Sequence, residues 1–275
     1  MVSIATEPVV VTKTAITHLS WSKIQAYLMC PRQLAFRLEE APRERVSAAL
    51  IFGGAIHAAS ELIHEARLAG AALPAVSDLL NAYDRAWKER EKAEPPIEFA
   101  KTENVESLRE LAERMLDAYL VFVQSRPNSE VIAIEHESDF LLLPDVPPFK
   151  VRLDLLERVG DELHVSDLKT ARSLWNDDKV SEHLPQVIAY SMAAAGIARQ
   201  LGLRIVPEFV VVTKAKSPKV QVLTPSASQE DVARLRNLVA DVWKGIQSGT
   251  FPARIGWQCK GCAYRDRCKK ETGCW

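Results

Sequence analysis

Phe149-Lys150-Val151-Arg152-Leu153-Asp154-Leu155-Leu156-Glu157 and Glu162-Leu163-His164-Val165-Ser166-Asp167-Leu168-Lys169 decide how this chain folds. Both stretches alternate in character as strands do. Between them lies Gly160-Asp161, a dipeptide suited to a two-residue hairpin loop. With that loop Val159 faces Glu162, and counting back puts Asp154 opposite Asp167. The two acids then share one face, with Cβ atoms roughly 5 Å apart. Lys169 lies two residues past Asp167 and shares that face. Like charges directly opposite destabilise a sheet. A divalent cation between them, with an ammonium beside it, reverses the sign.

Working outward, the pattern changes period on either side of this ribbon. Upstream it is helical. Ser22-Lys23-Ile24-Gln25 reads as a capping box opening a helix, interrupted at Cys30-Pro31 and continued from Gln33 to Glu39. Further helices are expected at about 47–69, 77–93 and 103–125, the last with an apolar stripe from Leu108 to Val123. Pro95-Pro96 separates the last two. A strand at about 131–143 precedes the ribbon. After it come a helix at 182–202, strands near 206–213 and 219–224, and a helix at 228–248. Helices flanking a mixed sheet make an α/β or α+β fold. Residues 1–16 read as a flexible tail, 17–250 as the main domain, and 251–275 as a Cys-rich segment.

Composition sets outer bounds. The chain has 275 residues, 47% hydrophobic and 26% charged, an ordinary globular balance with a full core. No apolar run is long enough for a membrane span. The N-terminus carries Glu7 and Lys13 without a signal-peptide layout, so a cytoplasmic location is expected. The formal net charge is −1, so a nucleic-acid partner would need a local basic patch.

The acid–lysine face has the parts that phosphodiester hydrolysis needs. A water must be deprotonated, an anionic transition state stabilised and a leaving oxygen assisted, and carboxylate-held Mg²⁺ or Mn²⁺ serves all three. Asp154 and Asp167 are hard oxygen ligands, and the carbonyl of Leu168 between Asp167 and Lys169 offers another. Lys169 is placed to orient water or stabilise developing charge. His57 is a third candidate ligand, although from the residues alone it reads more readily as a histidine packed on a small-residue helix. Gln186 and Tyr190 stand i, i+4 on one helix face. They read either as substrate contacts near the metal or as a satisfied amide and a half-buried phenol.

Cys259, Cys262 and Cys268 have metal-ligand spacing, and in a reducing compartment close cysteines argue for ligation over disulfides. Cys274 would complete a local four-cysteine zinc knuckle, which spacing alone prefers. Cys30 would instead make a clasp joining both ends of the chain, suited to an iron–sulfur cluster. Arg254, Lys260, Arg265, Arg267, Lys269 and Lys270 surround them. That run reads as a DNA-backbone patch or as compensation for thiolate charge.

Taken in order, these stretches resemble RecB-like PD-(D/E)XK nucleases with an iron–sulfur cluster. Relatives include the CRISPR-associated adaptation nuclease and the nuclease modules of bacterial helicase–nuclease complexes. Leu19 to Arg32 resembles the family's first-cysteine helix, and Gly54-Ala55-Ile56-His57 its histidine motif. Arg152-Leu153-Asp154 is similar to its first acidic motif, and Ser166-Asp167-Leu168-Lys169-Thr170 to its D/E-x-K motif. Gln186 to Tyr190 resembles its Q-x3-Y motif. Val151 departs from a frequent family glycine. The resemblance implies a restriction-endonuclease-like α/β sheet with an N-terminal helical region and a C-terminal cluster segment. It implies Mg²⁺ or Mn²⁺ on His57, Asp154, Asp167 and the Leu168 carbonyl, with Lys169 catalytic and Gln186 and Tyr190 toward substrate. It moves the cysteine choice to a [4Fe–4S] cluster on Cys30, Cys259, Cys262 and Cys268. The expected activity is a DNA exonuclease acting on duplex ends or single strands. The alternative is an inactive DNA-binding or adaptor subunit. No G-x4-G-K-[S/T] loop occurs, so a helicase or recombination partner would be a separate chain.

Overall fold

The expected hairpin forms. In the computed structural model, which describes residues 16–126 and 128–273, Val159 pairs with Glu162 and the ladder runs back to Leu155 opposite Ser166. Gly160 takes a φ of +61°, and Asp161 is not among the positive-φ residues. A tight turn with glycine first suits the right-handed twist of the flanking strands. The expected N-terminal tail, apart from residue 16, and Cys274 lie outside the described residues.

The helices are α1 (Trp21–Met29), α2 (Pro31–Leu38), α3 (Ala48–Leu68), α4 (Val76–Ala93), α5 (Val105–Gln124), α6 (Asp177–Leu201), α7 (Gln229–Gln247) and α8 (Arg265–Thr272). The strands are β1 (Val46–Ser47), β2 (Ile97–Glu98), β3 (Glu130–Phe140), β4 (Phe149–Val159), β5 (Glu162–Ala171), β6 (Arg204–Thr213) and β7 (Val220–Leu223). Five strands form one mixed sheet in the order β3-β4-β5-β6-β7. β5 and β6 run parallel because α6 crosses between them, whereas β4–β5 and β6–β7 are antiparallel. A short parallel pair, β1–β2, stands apart. No helix among the described residues is long and apolar enough to cross a membrane.

Local signals account for most boundaries. Ser47 caps α3 by accepting from Leu50 N–H, and Asn104 caps α5 through a reciprocal box with Ser107. At α1 the cap is Ser20 rather than the expected Ser22. Ser22 lies in the first turn and bonds the Ser20 hydroxyl at 2.9 Å. α6 begins at Asp177, five residues before the expected start, because Asn176 caps it and Pro185 is accommodated inside. β1, β2 and α8 are too short to leave a period in sequence.

The chain divides into two units. The larger spans Arg45–Phe140 and Lys150–Leu235 and holds the sheet. Alternation along its central strands sends side chains to two faces. Leu168, Val210 and Val212 pack into a core with α3, α4 and α5, around Phe52, Tyr83, Trp87 and Met115. Phe209 and Val211 pack on the other face against Val187 of α6. The smaller unit gathers Met1–Glu44, Leu141–Phe149 and Arg236–Trp275. Within it Tyr27 meets Phe251 edge-on, Phe36 meets Tyr264, and Arg267 stacks over Phe36 at 4.6 Å. A Cβ on Gly245 would lie 2.1 Å from the Tyr27 hydroxyl, so glycine there admits the close approach.

Candidate active site

The β4–β5 ladder stops one pair short of the two aspartates. Within a strand, a residue's N–H and C=O point to the same side, so both groups of Leu168 lose their β4 partner here. Asp154 Oδ2 accepts the Leu168 N–H at 3.0 Å. The His57 ring hydrogen-bonds the Leu168 backbone, and its Nδ1 stands 3.5 Å from Asp154 Oδ2. The expectation of two carboxylates in a tight pair is therefore modified. The strands part where the like charges would meet, and the opened backbone is taken up by site side chains.

A third acid, which the sequence reading missed, joins them. Glu135 of β3 has a φ of +49°, rare for a residue with a side chain, within an otherwise extended strand. Such a kink re-aims a side chain, and here ligand atoms of His57, Glu135 and Asp154 all lie within 4.8 Å of one another. Arg152 Nε sits 2.6 Å from Glu135 Oε2. His57, Glu61, Glu135, Asp154 and Leu168 line a cavity of about 20 Å³, room for one water or ion.

Asp167 is 2% exposed, and Lys169 Nζ stands 2.6 Å from its Oδ2. That contact lies outside hydrogen-bond geometry, so this buried oxygen accepts no hydrogen bond among the described residues. Burial and then the Asp167 charge push the Asp154 carboxyl well above the usual carboxylate range. Burial likewise raises Glu135 and Glu61, and lowers the His57 imidazole. Burial drives Asp154, Glu135 and Glu61 toward neutrality, so a cation beside them would offset the cost of their charge. The donor set of carboxylates plus imidazole suits a hard or borderline divalent ion, so a possible acidic metal site exists.

Gln186 and Tyr190 of α6 are partners, Gln186 Nε2 lying 2.6 Å from the Tyr190 hydroxyl. Tyr190 is buried, and desolvation followed by the Asp167 and Asp154 charges raises its pKa. It thus stands within electrostatic reach of the acids. Gly54, three residues before His57, leaves space where a Cβ would meet the Arg90 guanidinium at 2.5 Å.

In the smaller unit, four thiols outside any disulfide gather: Cys262 feels the charges of Cys30, Cys268 and Cys259. Burial pushes the Cys262 thiol up. The Arg254 N–H reaches Cys30 Sγ at 3.4 Å, while Cys259 Sγ points to the Arg254 carbonyl at 3.6 Å. Of the basic run, Arg254 also binds the Leu28 carbonyl, and Arg267 pairs with Glu39 and Glu271. Part of that run is consumed in holding the unit together.

A mixed sheet with acids and a lysine at a parted β-ribbon is the arrangement to which the comparisons attach a family. Residues 18–269 match the PD-(D/E)XK nuclease superfamily, and the chain belongs to it. It is similar in fold to a crystal structure of a "Putative exonuclease" from Eubacterium rectale, at a TM-score of 0.57 and 12% identity over 89% of this chain and 87% of that one. A structure of SSO0001 aligns at a TM-score of 0.38 and 13% identity, over 91% of this chain and 93% of that one. No curated protein sequence matches significantly.

Proposed function

We propose that this chain is a divalent-metal-dependent DNA nuclease that hydrolyses phosphodiester bonds at DNA ends or in single strands. The observation that carries the reading is the donor group of His57, Glu135 and Asp154 beside the Asp167–Lys169 pair. Mg²⁺ or Mn²⁺ held by these residues, with Asp167 and the Leu168 carbonyl as further oxygens, would lower the pKa of a water and screen phosphate charge. The chain's own groups supply the rest. The Leu168 N–H fixes the Asp154 carboxylate. Asp167 fixes the Lys169 ammonium, which orients water and offsets charge developing on the phosphate. Gln186 and Tyr190 bound the α6 side of the site and position substrate there. Labelled single- and double-stranded DNA incubated with Mn²⁺ tests the proposal. Wild type should degrade one or both, and Lys169→Ala should lose about 10²- to 10³-fold in rate. Intact DNA with wild type under all divalent ions would remove the enzyme reading and favour an adaptor.

We further propose a [4Fe–4S] cluster on Cys30, Cys259, Cys262 and Cys268. Support comes from the gathering of these thiols, Cys262 standing within electrostatic reach of Cys30, Cys268 and Cys259, and from the suitability of four thiolates as iron–sulfur ligands. Anaerobically purified protein should be brown. Cys30→Ser should bleach it while Cys274→Ser should not, and zinc in place of iron would overturn the assignment.

A further inference from the structure

Beside the candidate active site, the loop between β5 and α6 borders an open cavity of about 560 Å³. It is lined by Lys169, Arg172, Trp175, Asn176, Lys179 and His183 among others. The volume falls within the range of small-ligand pockets, about 300–1,000 Å³. It is far too small for a duplex, and it shares Lys169 with the acid cluster.

The cavity is built rather than incidental. The side-chain amide of Gln221 on β7 clamps the Trp175 backbone, accepting its N–H at 2.8 Å and donating to its C=O at 3.1 Å. The indole stacks on the His183 ring at 4.6 Å with planes 15° apart, and rests on Phe209 at 5.0 Å. Asn176 caps α6 by accepting the Lys179 N–H at 3.0 Å. A loop held on both sides carries its wall into position before any ligand arrives. Arg172 is exposed and makes no ion pair among the described residues. Lys179 adds a second cation at the rim, shared with Glu182 at 2.5 Å. The acids of the first turn, Asp177 and Asp178, are not part of the wall.

Resting on the nuclease reading above, we propose that this cavity is a subsite for one unpaired nucleotide adjacent to the scissile phosphate. A strand whose phosphate lies against Lys169 has its neighbouring nucleotide at the mouth of the cavity. The Trp175–His183 pair supplies an aromatic wall for base and sugar, and Arg172 a donor for the flanking phosphate. The site thereby selects single strands or frayed ends over intact duplex.

The test is binding in EDTA, which needs no metal and no turnover. Anisotropy of a labelled oligo-dT of about ten nucleotides is compared with that of a blunt duplex of equal length. Arg172→Glu should weaken oligo-dT binding about tenfold or more, the scale of one lost charge-assisted hydrogen bond, and duplex binding much less. Unchanged oligo-dT affinity, or equal losses for both probes, overturns the subsite. A Mn²⁺ cleavage assay on the same proteins separates the two readings. Arg172-dependent binding without wild-type cleavage keeps the subsite and removes the nuclease. Cleavage with a wild-type KM in Arg172→Glu keeps the nuclease and removes the subsite.

Discussion

Glu135 holds a left-handed backbone that glycine would adopt without strain. The cost of that conformation is of order 1 kcal/mol, and it is tolerated because it brings a carboxylate to His57 and Asp154. Two substitutions separate the contributions. Glu135→Gly should raise stability by about 1 kcal/mol, read as a melting shift of about 2–4 °C, while Mn²⁺-dependent activity falls. Glu135→Gln keeps the strain and should lower metal affinity about 10- to 100-fold, measured by Mn²⁺ titration. Sequence could not reveal this residue, because a glutamate in a strand reads as a solvent-facing charge and nothing local announces a positive φ. That Asp154, Asp167 and Lys169 fall near one another was legible from the hairpin register, whereas His57 was brought in only by the resemblance. A separate test lies about two turns along α3 from His57. His64 is buried, hydrogen-bonded to Tyr119 at 2.9 Å and beside Arg67, and burial pulls its pKa down to about 3. The unfolded chain takes up this proton near 6.5, so stability is complete above that pH. It is lost as pH falls toward 3, by up to about 1.4 kcal/mol per pH unit. Denaturant midpoints measured across that window should fall in wild type and flatten in His64→Gln.

At the scale of elements, the ribbon of β4 and β5 carries the argument. Its register was readable from Gly160-Asp161 and the alternation on either side, and pairing from Val159↔Glu162 to Leu155↔Ser166 follows it. What alternation could not convey is where pairing ends. That depends on charge repulsion between residues and on competing partners for Leu168, which are tertiary facts. Replacing Gly160 with valine places a β-branched residue at a φ of +61° and should cost about 1–2 kcal/mol. Equilibrium unfolding in urea checks this, with little change in KM expected because the turn lies at the far end of the ribbon. The start of α6 escaped sequence reading for another reason: its first turn, Asp177-Asp178-Lys179, is wholly polar and carries no apolar period, yet the Asn176 cap begins the helix there.

For the whole molecule, the larger unit is nearly contiguous in sequence, whereas the smaller one is assembled from three separated stretches. Its four thiols come from two of these, and a backbone N–H 224 residues away from Cys30 bonds that sulfur. Loss of the proposed cluster should therefore show in the smaller unit first. In hydrogen exchange, Cys30→Ser should lose protection at α1, α2 and α8, measured against the central strands β5 and β6 as internal reference. Unchanged protection in α8 would mean that the thiols contribute nothing to order there. The same layout imposes a schedule during synthesis. The sheet-bearing stretch can leave the ribosome and collapse early, but Cys30 meets Cys259, Cys262 and Cys268 only after the whole stretch between them has been made. Oxidative damage to a nascent chain would thus strike that waiting sulfur before its companions exist.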